Sequence, residues 1–319
     1  TVDDFATDAL PTENGLYRKL NQPILADPVA DLPEYIGRAF SLPRSLARRW
    51  YSRMSRFDLT KSCFHSLKVP QLTLRVNRLV ATVSQVQNAL QEQGVDVTPG
   101  ENDWRLNLAH ASRVTELPGY TEGWWSVQDD SAMLPAELLA PQPGEKILDL
   151  CAAPGGKTTH LAELSGDTAQ ITACDVSEGR LQRVADSIER LKLTGTTPAL
   201  IERDGSDIPT ADYDAVLVDV PCSNTGVLSR RPEARWRFRE DEVRELVQLQ
   251  TRLLLTAFDQ VKSGGRIVYS TCSIEPEETS QLVESVTQQV PGLTLESQHL
   301  QLPGQPSDGA FQALLKKNS

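Results

Sequence analysis

From Lys146 onward the chain alternates short apolar runs with stretches of helical periodicity, and this rhythm restricts the fold more than any other feature. The runs Lys146–Leu150, Gln170–Val176, Ala199–Arg203, Ala215–Val220 and Arg266–Ser270 have the length and composition of strands. Around them, residues 132–140, 157–165, 178–193 and 240–261 read as helices. A strand that returns to its sheet through a helix lies parallel to the next strand, and the helices cover both faces. The expected fold class is therefore α/β, with a doubly wound, mostly parallel sheet. A helix at 276–289 then leads to Leu293-Thr294-Leu295 and Phe311 to Leu315, which are expected to close the sheet as a hairpin.

In an open parallel sheet, ligands bind beyond the carboxyl ends of the strands. Those ends carry, in order, Cys151 to Lys157, Asp175, Asp204, Asp219-Val220-Pro221-Cys222 and Ser270-Thr271-Cys272-Ser273. An acid or a cysteine at the same end of every strand is hard to assign to packing. The first of these ends, Cys151-Ala152-Ala153-Pro154-Gly155-Gly156-Lys157, runs from a strand through a glycine turn into a helix start, where free backbone N–H groups face a ligand. Asp175 follows that turn by about twenty residues, the distance at which an acid reaches a ribose hydroxyl. Asp204 is a candidate acceptor for an adenine amino group. The turn does not read GxGxxG, and nothing matches GxxxxGK[ST]. A nucleoside without a polyphosphate therefore fits better than a dinucleotide or a triphosphate.

Five cysteines, Cys63, Cys151, Cys174, Cys222 and Cys272, are odd in number and form no CxxC pair. That argues against a disulfide framework and a structural zinc site, so no metal is expected, and it favours a reducing, cytoplasmic setting. Cys63, Cys174 and Cys151 read as buried structural thiols. Cys222 and Cys272 stand on neighbouring strand ends facing a cleft, where a thiolate is a competent nucleophile. Asp219, just before Cys222, is positioned to hydrogen-bond a polar heterocycle.

Upstream, charge is segregated. Residues 1–35 hold seven acids against two bases, whereas residues 36–80 hold ten Lys/Arg against Asp58 alone. The net charge of −11 speaks against a nucleic-acid partner only as an average, since a local basic face can sit on an acidic protein. Residues 1–35 read as a linker with a short helical patch at Gly15 to Leu20. A helix is expected from Arg44 to Arg56, burying Leu46, Trp50 and Met54 and turning Arg49, Arg53 and Arg56 outward. Leu72 to Val76, a helix at 82–93 and Trp104 to Leu108 suggest a small α/β unit with an RNA-recognition-like rhythm. The expected divisions are residues 1–35, a small basic domain at 36–118, and a larger domain at 119–319. No apolar run reaches the roughly 18–20 residues that a membrane span needs.

Leu148 to Thr158 closely resembles the cofactor loop of the Sun family of RNA cytosine-5 methyltransferases. Asp219-Val220-Pro221-Cys222-Ser223-Asn224-Thr225-Gly226 and Ser270-Thr271-Cys272-Ser273 resemble that family's two cysteine motifs. Arg231-Pro232-Glu233-Ala234-Arg235-Trp236-Arg237 is similar to its basic segment, and Asp308-Gly309-Ala310-Phe311 to its closing-hairpin motif. Val220 and Ala310 depart from the family pattern, but neither removes a chemical group. Asn14 to Leu20 is similar to the tail of the antiterminator-like domain of the bacterial ribosomal members, which implies a chain lacking that domain.

The resemblance implies a catalytic domain of the S-adenosylmethionine-dependent methyltransferase type, with S-adenosylmethionine held by Cys151 to Lys157, Asp175, Asp204 and the region of Asp219. It implies that Cys272 attacks C6 of a flipped cytosine, that Asp219 binds the N3/N4 edge, and that Cys222 assists release. Lys157 and Cys151 stay open, each touching the cofactor, the base or only the fold. RNA phosphates would meet Arg230, Arg231, Arg235, Arg237 and Arg239, with Arg49 and Arg53 on the basic helix. The expected partner is ribosomal RNA of the small subunit, bound by a monomer, with transfer RNA as the alternative. A DNA cytosine methylase would use the Pro-Cys thiol of Cys222 and has no use for Cys272. A silent RNA-binding assembly factor leaves the cofactor loop and both cysteine motifs unexplained.

Overall fold

The computed structural model describes residues 6–100, 102–109, 113–201, 208 and 212–318. A hairpin of β1 (Ala9–Pro11) and β2 (Tyr17–Lys19) comes first, followed by α1 (Leu32–Ala39), α2 (Arg44–Tyr51) and α3 (Arg56–Leu67). The patch expected to be helical at Gly15 to Leu20 is thus not helix but turn and strand. Gly15, at φ 72°, makes the turn, and Leu10 pairs with Arg18 across it. The single helix expected at 44–56 is two helices. α3 restarts after Ser55, whose hydroxyl accepts the Asp58 N–H at 3.1 Å, a bond that suits a helix start better than a helix interior.

A small sheet unit follows, made of β3 (Leu72–Val76), α4 (Val83–Glu92), β4 (Val97–Pro99), β5 (Arg105–Leu108) and β6 (Trp125–Val127). Its antiparallel order is β4-β5-β3-β6, with α4 packed on a core of Leu74, Val86, Leu90, Leu106 and Trp125. Two expectations shift here. The boundary falls after Val127 rather than at Gly119, because Trp125 pairs with Val76. Helices α1 to α3 do not belong to this unit: Phe40, Leu46 and Trp50 share a core with Leu228, Phe238, Val243 and Ile274 of the larger domain.

The larger domain contains α5 (Asp130–Leu139), β7 (Lys146–Asp149), α6 (Gly156–Leu164), β8 (Gln170–Asp175), α7 (Glu178–Leu191), β9 (Thr196–Leu200) and β10 (Tyr213–Asp219). It continues with α8 (Ala234–Arg237), α9 (Glu240–Gln260), β11 (Val261–Thr271), α10 (Ser280–Gln289), β12 (Leu293–Gln301) and β13 (Ala310–Lys317). The sheet order is β9-β8-β7-β10-β11-β13-β12, parallel from β9 to β11 and closed by the expected antiparallel hairpin. Alternate residues of β10 serve opposite faces. Val216 and Val218 join one core and Ala215 and Leu217 the other, as a strand covered on both sides requires. β9 begins earlier than expected, because the parallel register Ile171 to Thr196 draws Thr196 and Thr197 into the ladder. Successive strands are added outward from β7 to β9 on one side and from β10 to β11 on the other, so the strand order reverses between the parallel β7 and β10 and opens a crevice beyond their carboxyl ends.

Candidate active site

That crevice is a cleft of about 790 Å³, within the size range of small-molecule sites. Cys151, Lys157, Asp175, Asp219, Cys222 and Cys272 all line it. Residues read separately at the ends of β7, β8, β10 and β11 therefore share one cavity. Asp204 lies outside the described residues.

On one side, the glycine turn and Asp175 build a cradle. Asp175 Oδ2 accepts the Ala153 N–H at 3.2 Å, and Oδ1 accepts the Ser177 N–H at 3.1 Å. Arg180, which the sequence did not single out, lies 3.4 Å from Asp175 and donates to the Ala153 carbonyl at 3.0 Å. Each carboxylate oxygen keeps acceptor capacity, so two vicinal hydroxyls can still be bound. Ala153 and Pro154 face the cleft, whereas Ala152 is buried and donates its N–H to the Cys174 carbonyl at 2.8 Å. Gly155, at φ 104°, caps α6, and a Cβ there would stand 3.2 Å from the backbone of Val184. Gly156 opens α6, and its carbonyl accepts from Arg75 of the small sheet unit at 2.7 Å. Below the turn, burial pushes the Asp149 carboxyl up to about 7 although the Thr158 hydroxyl donates to it at 2.6 Å. Burial likewise pushes the Cys151 thiol up, well away from a thiolate.

Across the cleft stand the two thiols, with Cys222 Sγ 3.1 Å from Cys272 Sγ. Cys272 also lies 3.3 Å from Asn224 Oδ1. The hydrogen bond with Cys222, then burial, push the Cys272 thiol well above its ordinary value, while Lys157 pulls it down. Lys157 thus sits on the cysteine side of the site. Its Nζ is 2.7 Å from Asp219 Oδ2, and the Ser270 hydroxyl donates to Asp219 Oδ1 at 2.9 Å. Burial disfavours the Lys157 charge, but the Asp219 carboxylate keeps the ammonium above its ordinary value.

The thiols face each other because their loops are laced together. Gly226 donates to the Cys272 carbonyl at 2.9 Å, and a Cβ on Gly226 would stand 2.3 Å from the Gly309 carbonyl oxygen, so only glycine fits. Ile274 donates to Thr225 Oγ1 at 3.1 Å. Glu278 and Gln250 tie the same loops from behind, and no sequence motif singles out either. An acid in Glu275-Pro276-Glu277-Glu278 reads as solvated surface, yet Glu275 and Glu278 are fully buried.

The arginines divide. Arg235 is buried and donates to the carbonyls of Phe40, Ser41, Ser66 and Leu228, so it cannot meet a phosphate as expected. Arg49 and Arg53 clasp Glu275, which also accepts the Trp50 indole N–H at 3.2 Å. Arg230 is held between Asp129 and Asp308 at 2.6 and 2.5 Å. Carboxylates of the protein thus already offset the charge of these three. Arg239 pairs with Asp241 at 2.6 Å. Arg231 and Arg237 are exposed and carry no side-chain hydrogen bond or ion pair among the described residues. Both line a smaller pocket of about 110 Å³ that includes Cys222 and Asn224. Among the described residues no acid, histidine or cysteine cluster fits a metal, and no helix is long and apolar enough to cross a membrane.

This arrangement has close relatives. Ribosomal RNA small subunit methyltransferase B of Proteus mirabilis is 41% identical over 251 residues, covering 78% of this chain and 59% of that protein. Probable ribosomal RNA small subunit methyltransferase B of Synechocystis sp. is 39% identical over 257 residues, covering 79% of this chain and 58% of that protein. The chain thus spans about three fifths of the length of these curated relatives. Among solved structures, PH0851 superimposes with a TM-score of 0.86 at 31% identity, over 93% of this chain and 70% of that one. NSun6 from Pyrococcus horikoshii with SFG, at 19% identity and a TM-score of 0.77 over 87% of this chain and 98% of that one, shares the fold. The sheet order is that of S-adenosylmethionine-dependent methyltransferases. With residues 136–314 matching the family model described as 16S rRNA methyltransferase RsmB/F, the chain belongs to that family.

Proposed function

We propose that this chain, acting in the cytoplasm, methylates C5 of a cytosine in small-subunit ribosomal RNA through a covalent adduct between Cys272 and C6. The observation that carries the reading is the pair of thiols 3.1 Å apart, facing a cleft whose opposite wall is the glycine turn and Asp175. The relatives' names as small-subunit ribosomal RNA methyltransferases support the ribosomal target, and the cysteine chemistry supports the position methylated.

The residues present fit S-adenosylmethionine: Ala153 to Gly156 supply a close backbone approach, and Asp175 keeps acceptor capacity for a ribose diol. When bound, this cofactor supplies an electrophilic methyl group. Cys272 gives up its thiol proton to water and adds to C6 as the thiolate, and the π electron pair of the C5–C6 bond moves towards C5 and the N3/N4 edge. Asp219 meets that edge, with Lys157 and the Ser270 hydroxyl fixing the carboxylate from either side. Once C5 has taken the methyl group, Cys222, as the thiolate, takes the proton from C5; those electrons re-form the C5–C6 double bond and the Sγ–C6 pair returns to Cys272, which regenerates the pyrimidine ring and frees the enzyme. A base in this position has left its stack, since C5 and C6 are otherwise out of reach.

The test is a pair of variants on small-subunit RNA, followed by bisulfite sequencing and a denaturing gel. Cys272→Ser is expected to abolish methylation without forming an adduct. Cys222→Ser is expected to hold the RNA in a covalent band. The reverse pattern would sink the assignment and favour Cys222 as the nucleophile.

A further inference from the structure

Glu278 stands behind both cysteine loops, its side chain fully buried. Its Oε1 accepts the Ser223 N–H at 2.9 Å and the Gln250 amide at 2.9 Å. Its Oε2 accepts the Ser273 hydroxyl at 2.6 Å and the Ser223 hydroxyl. Ser223 follows Cys222 and Ser273 follows Cys272, so one carboxylate holds the residue next to each thiol. Gln250 extends the tie, donating also to the carbonyl of Pro221 at 2.9 Å, on the other side of Cys222. The Tyr269 hydroxyl fixes Glu278 itself by donating to its backbone carbonyl at 2.8 Å.

Among the described residues no cation pairs with Glu278. A buried carboxylate without a counter-ion is destabilising unless donors satisfy it, and here four do. All four converge on the two loops or on the helix behind them. The arrangement makes sense for a site whose geometry matters, since an error of about 1 Å between reacting groups can cost on the order of a hundredfold in rate.

We infer that Glu278 is a positioning residue that sets the separation and facing of Cys222 and Cys272, and so governs release of the RNA after methylation. The inference rests on the cysteine mechanism proposed above. Addition needs only Cys272, whereas release needs Cys222 beside the adduct. Loosening the tie therefore slows release more than addition, which a general loss of structure would not do.

Glu278→Ala, Glu278→Gln and Cys222→Ser are compared on small-subunit RNA, reading turnover, KM for S-adenosylmethionine and the covalent band. Glu278→Ala is expected to lower kcat by about tenfold or more, leave that KM unchanged, and accumulate adduct as Cys222→Ser does. Glu278→Gln is expected to recover most of the turnover, because its carbonyl keeps the Ser223 N–H and Gln250 while both serine hydroxyls can turn to accept its amide. If Glu278→Ala does not fold, the Ser223→Ala/Ser273→Ala double variant cuts the tie from the other side and is expected to accumulate adduct likewise. Wild-type turnover in Glu278→Ala, or turnover and adduct falling together, overturns the inference while leaving the cysteine mechanism intact. Absence of adduct in Cys222→Ser overturns the mechanism, and the inference with it.

Discussion

Two groups of arginines look alike along the chain and behave oppositely in the fold. Arg49, Arg53 and Arg235 lie where α2 and α3 meet α8 and the loop after β11, and all three turn inward. Arg231 and Arg237 lie on the segment that flanks Cys222, and both are exposed without a partner among the described residues. Composition cannot separate the groups, because a guanidinium takes whichever acceptors lie within reach, and those acceptors are distant in sequence. Within the basic stretch at 36–80, Arg49, Arg53 and Arg75 thus fasten to the larger domain. Arg231 and Arg237 instead leave two charges open beside the cysteine pocket.

The sharpest way to break this division is Arg235→Ala. Four backbone carbonyls would lose their donor inside the protein, at about 1–3 kcal/mol for each group left unsatisfied. Water entering the vacated space would satisfy some of them, so a loss of about 4 kcal/mol and about 10 °C in Tm is expected. Calorimetry decides. A variant that melts like wild type but binds RNA weakly would return Arg235 to the RNA-facing group.

The next effect is at the clasp. Arg49→Ala removes one of two guanidinium partners of the buried Glu275 and is expected to cost about 2 kcal/mol at neutral pH. Burial favours the neutral form of Glu275, but Arg53 and Arg49 prevail and hold its carboxyl below the usual glutamate value of 4.5. A lowered native value means that the clasp stabilises the fold above that pH and stops doing so as pH falls through the native value. The difference in Tm between wild type and Arg49→Ala should therefore be full at pH 7 and shrink as pH falls below 4.5 through the lowered native value. A difference that does not change with pH would mean that Arg49 acts by packing alone.

The same contrast explains what could be read from the chain. The strands, the closing hairpin and the gathering of Asp175, Asp219, Cys222 and Cys272 were legible because they depend on local periodicity and on the rule for strand ends. The joining of α1 to α3 to the catalytic domain was not, since Trp50 meets Glu275 across more than two hundred positions. Nor was the partner of Lys157. Its glycine-turn position suggests cofactor binding, and only the register Asp219 to Ser270 beside β7 brings it to Asp219. Glu278 was least legible of all, because its hydroxyl and amide donors come from three separate segments.

The smallest effect on the fold, and the one that most sharpens the comparison, belongs to the outward pair. Arg231→Ala/Arg237→Ala removes two exposed charges with no internal partner, so Tm should stay within about 1 °C of wild type. Affinity for small-subunit RNA should fall about tenfold at moderate salt, whatever the base at the target position, because phosphate contacts do not read sequence. Each phosphate contact releases counter-ions, so the slope of log K against log salt should become shallower by about 1–2. A change in affinity without a change in slope would assign these arginines to base contacts in the pocket beside Cys222. No change in either would remove them from the RNA surface and leave the approach of the strand to other cations.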